Sequence, residues 1–135
     1  MSEIDDVLSA AAKIVEDFGN HRTADYFAGF AENASFMFYT HGSRLDSRQA
    51  YEELWAKWER EDGFKVHACR SSNQLVQLIG SGAAVFSHLV SSDIEFAGEV
   101  STIEERETIV FAKVDSAWIA VHEHLSPKPS ENSVE

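Results

Sequence analysis

Thr102–Leu125 reads TIEERETIVFAKVDSAWIAVHEHL, and the fold turns on it. Two apolar runs, Ile109-Val110-Phe111 and Trp118-Ile119-Ala120-Val121, flank Asp115-Ser116. β-Branched and aromatic residues on either side of a short polar turn spell a β-hairpin. A tip at Asp115-Ser116 sets Phe111 against Ile119, Ile109 against Val121 and Glu107 against Glu123. Strand side chains alternate, so these residues share one face. That face is apolar apart from two opposed carboxylates. The other carries Arg106, Thr108, Trp118, His122 and His124.

Working back from the hairpin, the chain is strand and turn as far as Phe64. Phe64–Ile79 and Ala83–Phe96 read as long strands, with turns at Gly80-Ser81-Gly82 and Ala97-Gly98-Glu99. Carrying the register across both turns pairs Phe86, His88, Val90 and Ser92 with Phe111, Ile109, Glu107 and Glu105. It brings Arg70, Ser72 and Gln74 to the same face. One concave surface is then expected to hold Arg70, Ser72, Gln74, His88, Glu105, Glu107 and Glu123. A slip of one residue would turn any of these strands inside out.

The first sixty residues read differently. Ile4, Val7, Leu8, Ala11, Ile14, Val15 and Phe18 recur at helical spacing. Ser2 is a fitting cap, and Glu3, Asp5 and Asp6 suit the positive end of the helix dipole. A short second helix is expected from Thr23 to about Ala31, and a short strand over Ser35–Tyr39. A third helix starts from Asp46, where Gln49 completes a capping-box pattern. Its apolar stripe is Tyr51, Leu54, Trp55 and Trp58. Three helices gathered on a curved antiparallel sheet give an α+β architecture with a cavity between the layers. The expectation is one domain over residues 1–126, followed by a disordered tail over 127–135.

Composition narrows the function. The chain has 135 residues, 44% hydrophobic and 25% charged, as in an ordinary globular domain. The net charge of −12 argues against partners made of nucleic acid or anionic membrane. No apolar run is long enough to span a bilayer. The acidic N-terminus does not read as a secretory signal. The single cysteine, Cys69, cannot form an internal disulfide, which fits a reducing, cytoplasmic setting. No phosphate-binding glycine loop or nucleophile elbow is present.

The pattern Glu107-Thr108…Trp118-Ile119-Ala120-Val121-His122-Glu123-His124-Leu125-Ser126, with the order of elements before it, resembles the SnoaL-like group of the nuclear transport factor 2 superfamily. Within that group it is similar to the association domain of calcium/calmodulin-dependent kinase II. The resemblance implies a cone-shaped α+β barrel, commonly dimeric or larger, with a pocket in the cone. The kinase domain's pocket arginines fall at positions held here by Ile109 and Leu125, so its anionic-ligand reading does not carry over. Ketosteroid isomerase and the polyketide cyclases share the superfamily fold, an analogy at the level of fold alone.

The candidate catalytic residues are therefore Glu107, Glu123 and His88. Two close carboxylates cannot both ionise cheaply, so one should hold a proton near neutrality. With Glu107 as the holder, Glu107→Gln is expected to raise stability. Arg70, Gln74, Glu105, Tyr39, Trp55 and Trp58 are the candidate ligand-binding residues, with Arg70 placed to grip a carboxylate. The structural alternatives are a core histidine at His88, a salt bridge at Arg70 and plain core at the tryptophans. His122 and His124 sit at i, i+2 with no third ligand in view, so no metal and no cofactor is expected. Two functions follow. One is a small-molecule pocket protein, as a cofactor-free acid/base enzyme of isomerase, cyclase or hydrolase type. The other is a non-catalytic association module. A homodimer through the outer sheet face is expected in either case.

Overall fold

The computed structural model describes residues 2–130. Helix α1 spans Glu3–Gly19, and Ser2 caps it by accepting from the Asp5 amide at 3.1 Å. Helix α2 is Thr23–Ala28 and helix α3 is Arg48–Asp62. The strands are β1 (Phe30–Phe38), β2 (Lys65–Ile79), β3 (Ala83–Phe96), β4 (Glu99–Val114) and β5 (Ala117–Pro127). They form a single sheet in the order β1-β5-β4-β3-β2, so β2 to β5 make an antiparallel meander. β1 adds at the far edge, parallel to β5. The architecture is the expected α+β one, but the sheet stays open instead of closing into a barrel.

Two boundaries in the helical part move. α2 ends at Ala28, so Phe30 opens β1 instead of lying on a helix, though it is fully buried either way. The cap of α3 is Ser47, whose hydroxyl accepts from the Ala50 amide at 3.1 Å; Asp46 instead pairs with Arg44. α3 ends where Gly63 turns left-handed at φ +62°, a conformation that costs glycine little. β5 runs through Pro127, and the Lys128 amide donates to Glu104. Residues 131–135 of the expected tail lie outside the described residues.

The helices cover one face of the sheet. Ile109, Phe111, Phe86, Ala84 and Ala120 of the sheet pack with Val7, Ala11 and Ile14 of α1. α1 crosses β2 closely at its end, where a side chain on Gly19 would meet the Cys69 backbone nitrogen at 2.9 Å. A second core layer is aromatic. Trp55 is 1% exposed and lies within 4.8–6.1 Å, centroid to centroid, of Phe18, Tyr26, Phe27, Tyr51 and Phe64. Trp55 is therefore core, not the pocket residue the sequence suggested. Among the described residues no helix is long and apolar enough to cross a membrane.

The strand registers decide the site, and three bulges correct the sequence reading. On β5 Val121 is extra: Phe111 pairs with Ala120 but Val110 pairs with His122. Before the bulge, Trp118 and Ala120 face the core in place of the expected Ile119 and Val121. After it, Glu123 and Leu125 face inward, with Glu123 opposite Ile109 and Glu107 opposite Leu125. Glu107 and Glu123 thus share a face as diagonal neighbours, not as a direct pair. On β3, His88 pairs with Glu107 itself, two residues from the expected register and on the expected face. On β2 the extra residues fall at His67 and across Asn73-Gln74. Asn73 takes φ +55°, which asparagine tolerates better than most residues. These bulges turn Cys69 and Ser71 inward and Arg70 outward.

Candidate functional site

β3, β4 and β5 each aim a polar side chain into the space under α1. From β4 come Glu105 and Glu107, from β5 Glu123, and from β3 His88 and Ser92. The His88 ring is wholly buried and saturated. Its Nε2 lies 2.6 Å from Glu107 Oε1, and its Nδ1 lies 2.5 Å from Ser71 Oγ. Gln74 Nε2 donates to that same Ser71 Oγ at 2.8 Å. An amide nitrogen can only donate, so the Ser71 hydroxyl is free to donate onward to Nδ1. That leaves Nε2 carrying the hydrogen aimed at Glu107. His88 therefore orients Glu107 and does not itself reach the cavity.

The two buried carboxyls divide their roles. Burial would raise Glu107, but hydrogen bonds from Glu123 and His88 outweigh it and hold Glu107 below the ordinary 4.5. Glu123 goes the other way. Burial, then the negative charge of Glu107, pushes it well above the ordinary value. The directions favour the proton on Glu123, with its hydroxyl hydrogen-bonded to Glu107, whereas the sequence reading worked through the case of a proton on Glu107. Glu123 is 3% exposed, and its Oε1 has no hydrogen-bond partner.

Glu123 also lines a cavity of about 50 Å³ walled by Ile14, Phe18, Tyr26, Tyr51, Cys69 and Leu125. The Tyr26 and Tyr51 hydroxyls lie 3.1 Å apart, and burial keeps both phenols protonated. Burial pushes the Cys69 thiol up to about 11, so it is no thiolate nucleophile. Glu105, Tyr51, Phe18 and Leu125 also border a second chamber of about 190 Å³, which opens past Tyr39 and Trp58. Glu105 stands between the two. Burial raises it, against the hydrogen bond that the Tyr39 hydroxyl gives it. Burial and that carboxylate push Tyr39 up to about 12.

Of the candidates read from sequence, Glu105, Glu107, Glu123, Tyr39 and Trp58 line the two chambers, and His88 and Gln74 stand behind Glu107. Arg70 does not join them. It lies exposed on the outer face, bidentate to Asp93 at 2.9 and 3.1 Å and 3.1 Å from Ser91. Tyr26 and Ser71 were missed. Tyr26 sat in a helix of no marked pattern, and Ser71 faces inward only because of the bulges. Among the described residues no three His, Cys, Asp or Glu side chains are grouped to hold a metal ion.

With helices over one face of an open meander and a buried acidic cavity between them, comparison with known families becomes informative. A SnoaL-like domain profile matches residues 7–130. The chain belongs to the SnoaL-like family. This member shares its fold with an NTF2-like protein of unknown function from Prochlorococcus sp. NATL2A, at 20% identity over 97% of both chains and a TM-score of 0.78. A ketosteroid isomerase-like protein from Erwinia carotovora atroseptica superposes at TM-score 0.79, with 14% identity over 96% of this chain and 98% of that one. The CaMKII hub homology domain of Chlamydamonas reinhardtii does so at 0.74, with 18% identity over 96% and 100%. No curated protein matches the chain.

Proposed function

We propose that this SnoaL-like protein binds a small molecule under α1 and moves a proton on it, with no cofactor, in a reaction of isomerase, cyclase or hydrolase type. Glu107 is the base and Glu123 the acid. One arrangement carries the reading: Glu107 and Glu123 line the same cavity, with Glu107 held low by hydrogen bonds from Glu123 and His88 and Glu123 pushed up by burial and the charge of Glu107. Environments that push two carboxyls apart are how one site holds both an acid and a base at neutral pH. His88, fixed by Ser71 and Gln74, keeps the Glu107 carboxylate aimed. The ketosteroid isomerase-like relative lends the reading a precedent of fold alone. Carbon-13 carboxyl NMR tests it: one glutamate should titrate well above ordinary glutamate and its neighbour below. Two ordinary titrations would remove the acid/base function.

The same fold serves proteins whose names record association, the CaMKII hub homology domain among them. We propose a homodimer through the outer sheet face, near His122 and His124. Leu75, 54% exposed, and Ile79, 57% exposed, lie there beside Val85, Leu89 and Val110. Trp118 is no part of this face, since it packs on the core. An apolar sheet face of this extent calls for a cover. Light scattering should give twice the chain mass at micromolar concentration, and Val110→Lys should halve it. A wild-type monomer under those conditions would end the dimer reading, leaving the cavity reading untouched.

A further inference from the structure

The two chambers share Phe18, Tyr51, Glu105 and Leu125 as lining. Their lining is of one sign. Glu105, Glu107 and Glu123 contribute carboxyl groups, while no Lys, Arg or His lines either chamber among the described residues. The basic side chains nearby are committed elsewhere. Lys13 and Arg22 hold Asp17, Arg48 holds Glu52 and the Phe30 carbonyl, and Arg70 holds Asp93 on the far side of the sheet. Nothing therefore offsets the negative charge of the site from within.

The outer chamber is also aromatic. Phe18, Phe38, Tyr39, Tyr51, Trp58 and Phe96 border it, with Glu105 at its inner end. Trp58 packs edge-to-face on Tyr51 and on Phe96, at 6.3 and 6.0 Å centroid to centroid, so these rings form one continuous wall of the chamber. Ring faces attract cations, and aromatic walls closed by a carboxylate suit organic ammonium groups. A carboxylate or phosphate ligand there would meet the Glu105 carboxyl group and no cation. At about 190 Å³ the chamber is smaller than the ~300–1000 Å³ typical of drug-sized ligands. Glu123, whose buried Oε1 has no partner, lines the inner cavity and not this chamber.

We propose that the cavity takes a small organic ammonium ion, its nitrogen at Glu105 and its apolar part against Phe18, Tyr51 and Trp58. This rests on the reading of the cavity as a ligand site, but not on proton transfer there. It places the protein's ligand opposite in charge to the anion that the kinase association domain led one to consider. Net charge works in the same direction, since −12 draws cations toward the mouth.

Calorimetric titration of the full chain with n-butylammonium and choline, against butyrate and n-butanol, tests the proposal. The ammonium ions should bind at least about tenfold more tightly than the neutral and anionic probes. They should quench tryptophan fluorescence and shift the amide resonances of Phe18, Tyr51 and Leu125. Glu105→Gln, checked for folding by circular dichroism, should weaken butylammonium about tenfold or more, as the loss of a charge-assisted contact implies. Asp93→Asn, on the outer face, should not. Butanol or butyrate binding as well as butylammonium, no binding of any probe, or full affinity in Glu105→Gln would each overturn it. So would displacement of butylammonium by equimolar calcium, which would mark an inorganic cation site. Ammonium binding alongside two ordinary glutamate titrations would sustain this inference while removing proton transfer.

Discussion

Replacing Trp55 by alanine should destabilise the domain by about 3–5 kcal/mol, the usual cost of emptying a buried tryptophan site. For a chain of this size that is a fall in melting temperature of roughly 10–20 °C. The expectation comes from where the ring sits. It is 1% exposed on α3 and touches rings from α1 and α2 and the ring of Phe64, just before β2. Removing it leaves a void that Phe18, Tyr26, Phe27, Tyr51 and Phe64 cannot collapse into without leaving their own contacts. Its Nε1 is buried without a partner, so the indole is held by packing and not by a hydrogen bond. Trp55→Phe, which keeps a ring and drops that orphan donor, should cost much less. Trp58 on the same helix is the control. It borders the outer chamber, so Trp58→Ala should cost less stability and more ligand affinity. Urea unfolding of the three variants separates the cases. A loss below about 1 kcal/mol for Trp55→Ala would return Trp55 to the pocket, where the sequence reading had put it.

Patterns of period made the fold legible; the faces of its strands were legible only in part. The apolar positions of α1 and the Asp115-Ser116 turn needed no tertiary information, because spacing and turn chemistry are local. The capping error at Asp46 was a choice between two adjacent polar residues that differ only in backbone angle. The bulges were another matter. Each adds one residue to one strand and so exchanges its two faces beyond that point. Arg70 was assigned inward by counting back from Ser81 without a bulge, and one extra residue at Asn73-Gln74 sent it to Asp93. Asn73, with its tolerance of positive φ, was a signal that could have been read. Val121 offered none. There an unmarked bulge cancelled a count that was one residue off, so Glu123 came out inward for a reason the sequence does not contain. His88 stayed inward because β3 and β4 pair without interruption from Ala83 to Phe96. The proton's place was not legible at all. It depends on His88 meeting Glu107 and not Glu123, which only the register decides.

That asymmetry gives Glu107→Gln and Glu123→Gln opposite effects, although the substitutions are chemically the same. Glu107 accepts from both His88 and Glu123 as an anion. A glutamine there offers one carbonyl oxygen to two buried donors and turns its own amide hydrogens toward them. The loss of charged hydrogen bonds in a buried site should cost about 2–4 kcal/mol near neutral pH. Glu123 is the donor in its contact with Glu107, and a glutamine amide can donate in its place. Glu123→Gln should therefore fold as well as the parent in acid and better at neutral and higher pH. The signs follow from the direction in which each carboxyl is displaced. Glu123 has its folded value above the ordinary 4.5, so the stability it contributes is present below that value and fades as pH rises through the folded one. Glu107 has its folded value below 4.5, so its contribution is present above that value and fades as pH falls through the folded one. Glu123→Gln removes the alkaline loss and should gain on the order of 1 kcal/mol or more at the upper end of the range, since a tenfold change in proton affinity is worth about 1.4 kcal/mol. Glu107→Gln removes the acid loss, but from a lower level throughout. Urea midpoints for the parent and both variants between about pH 4 and pH 9 would show the two curves diverging from the parent in opposite directions. If Glu107→Gln proved the more stable variant at neutral pH, the proton would belong to Glu107. The acid and base would then exchange places, with Glu123 left as the ionised member beside no histidine.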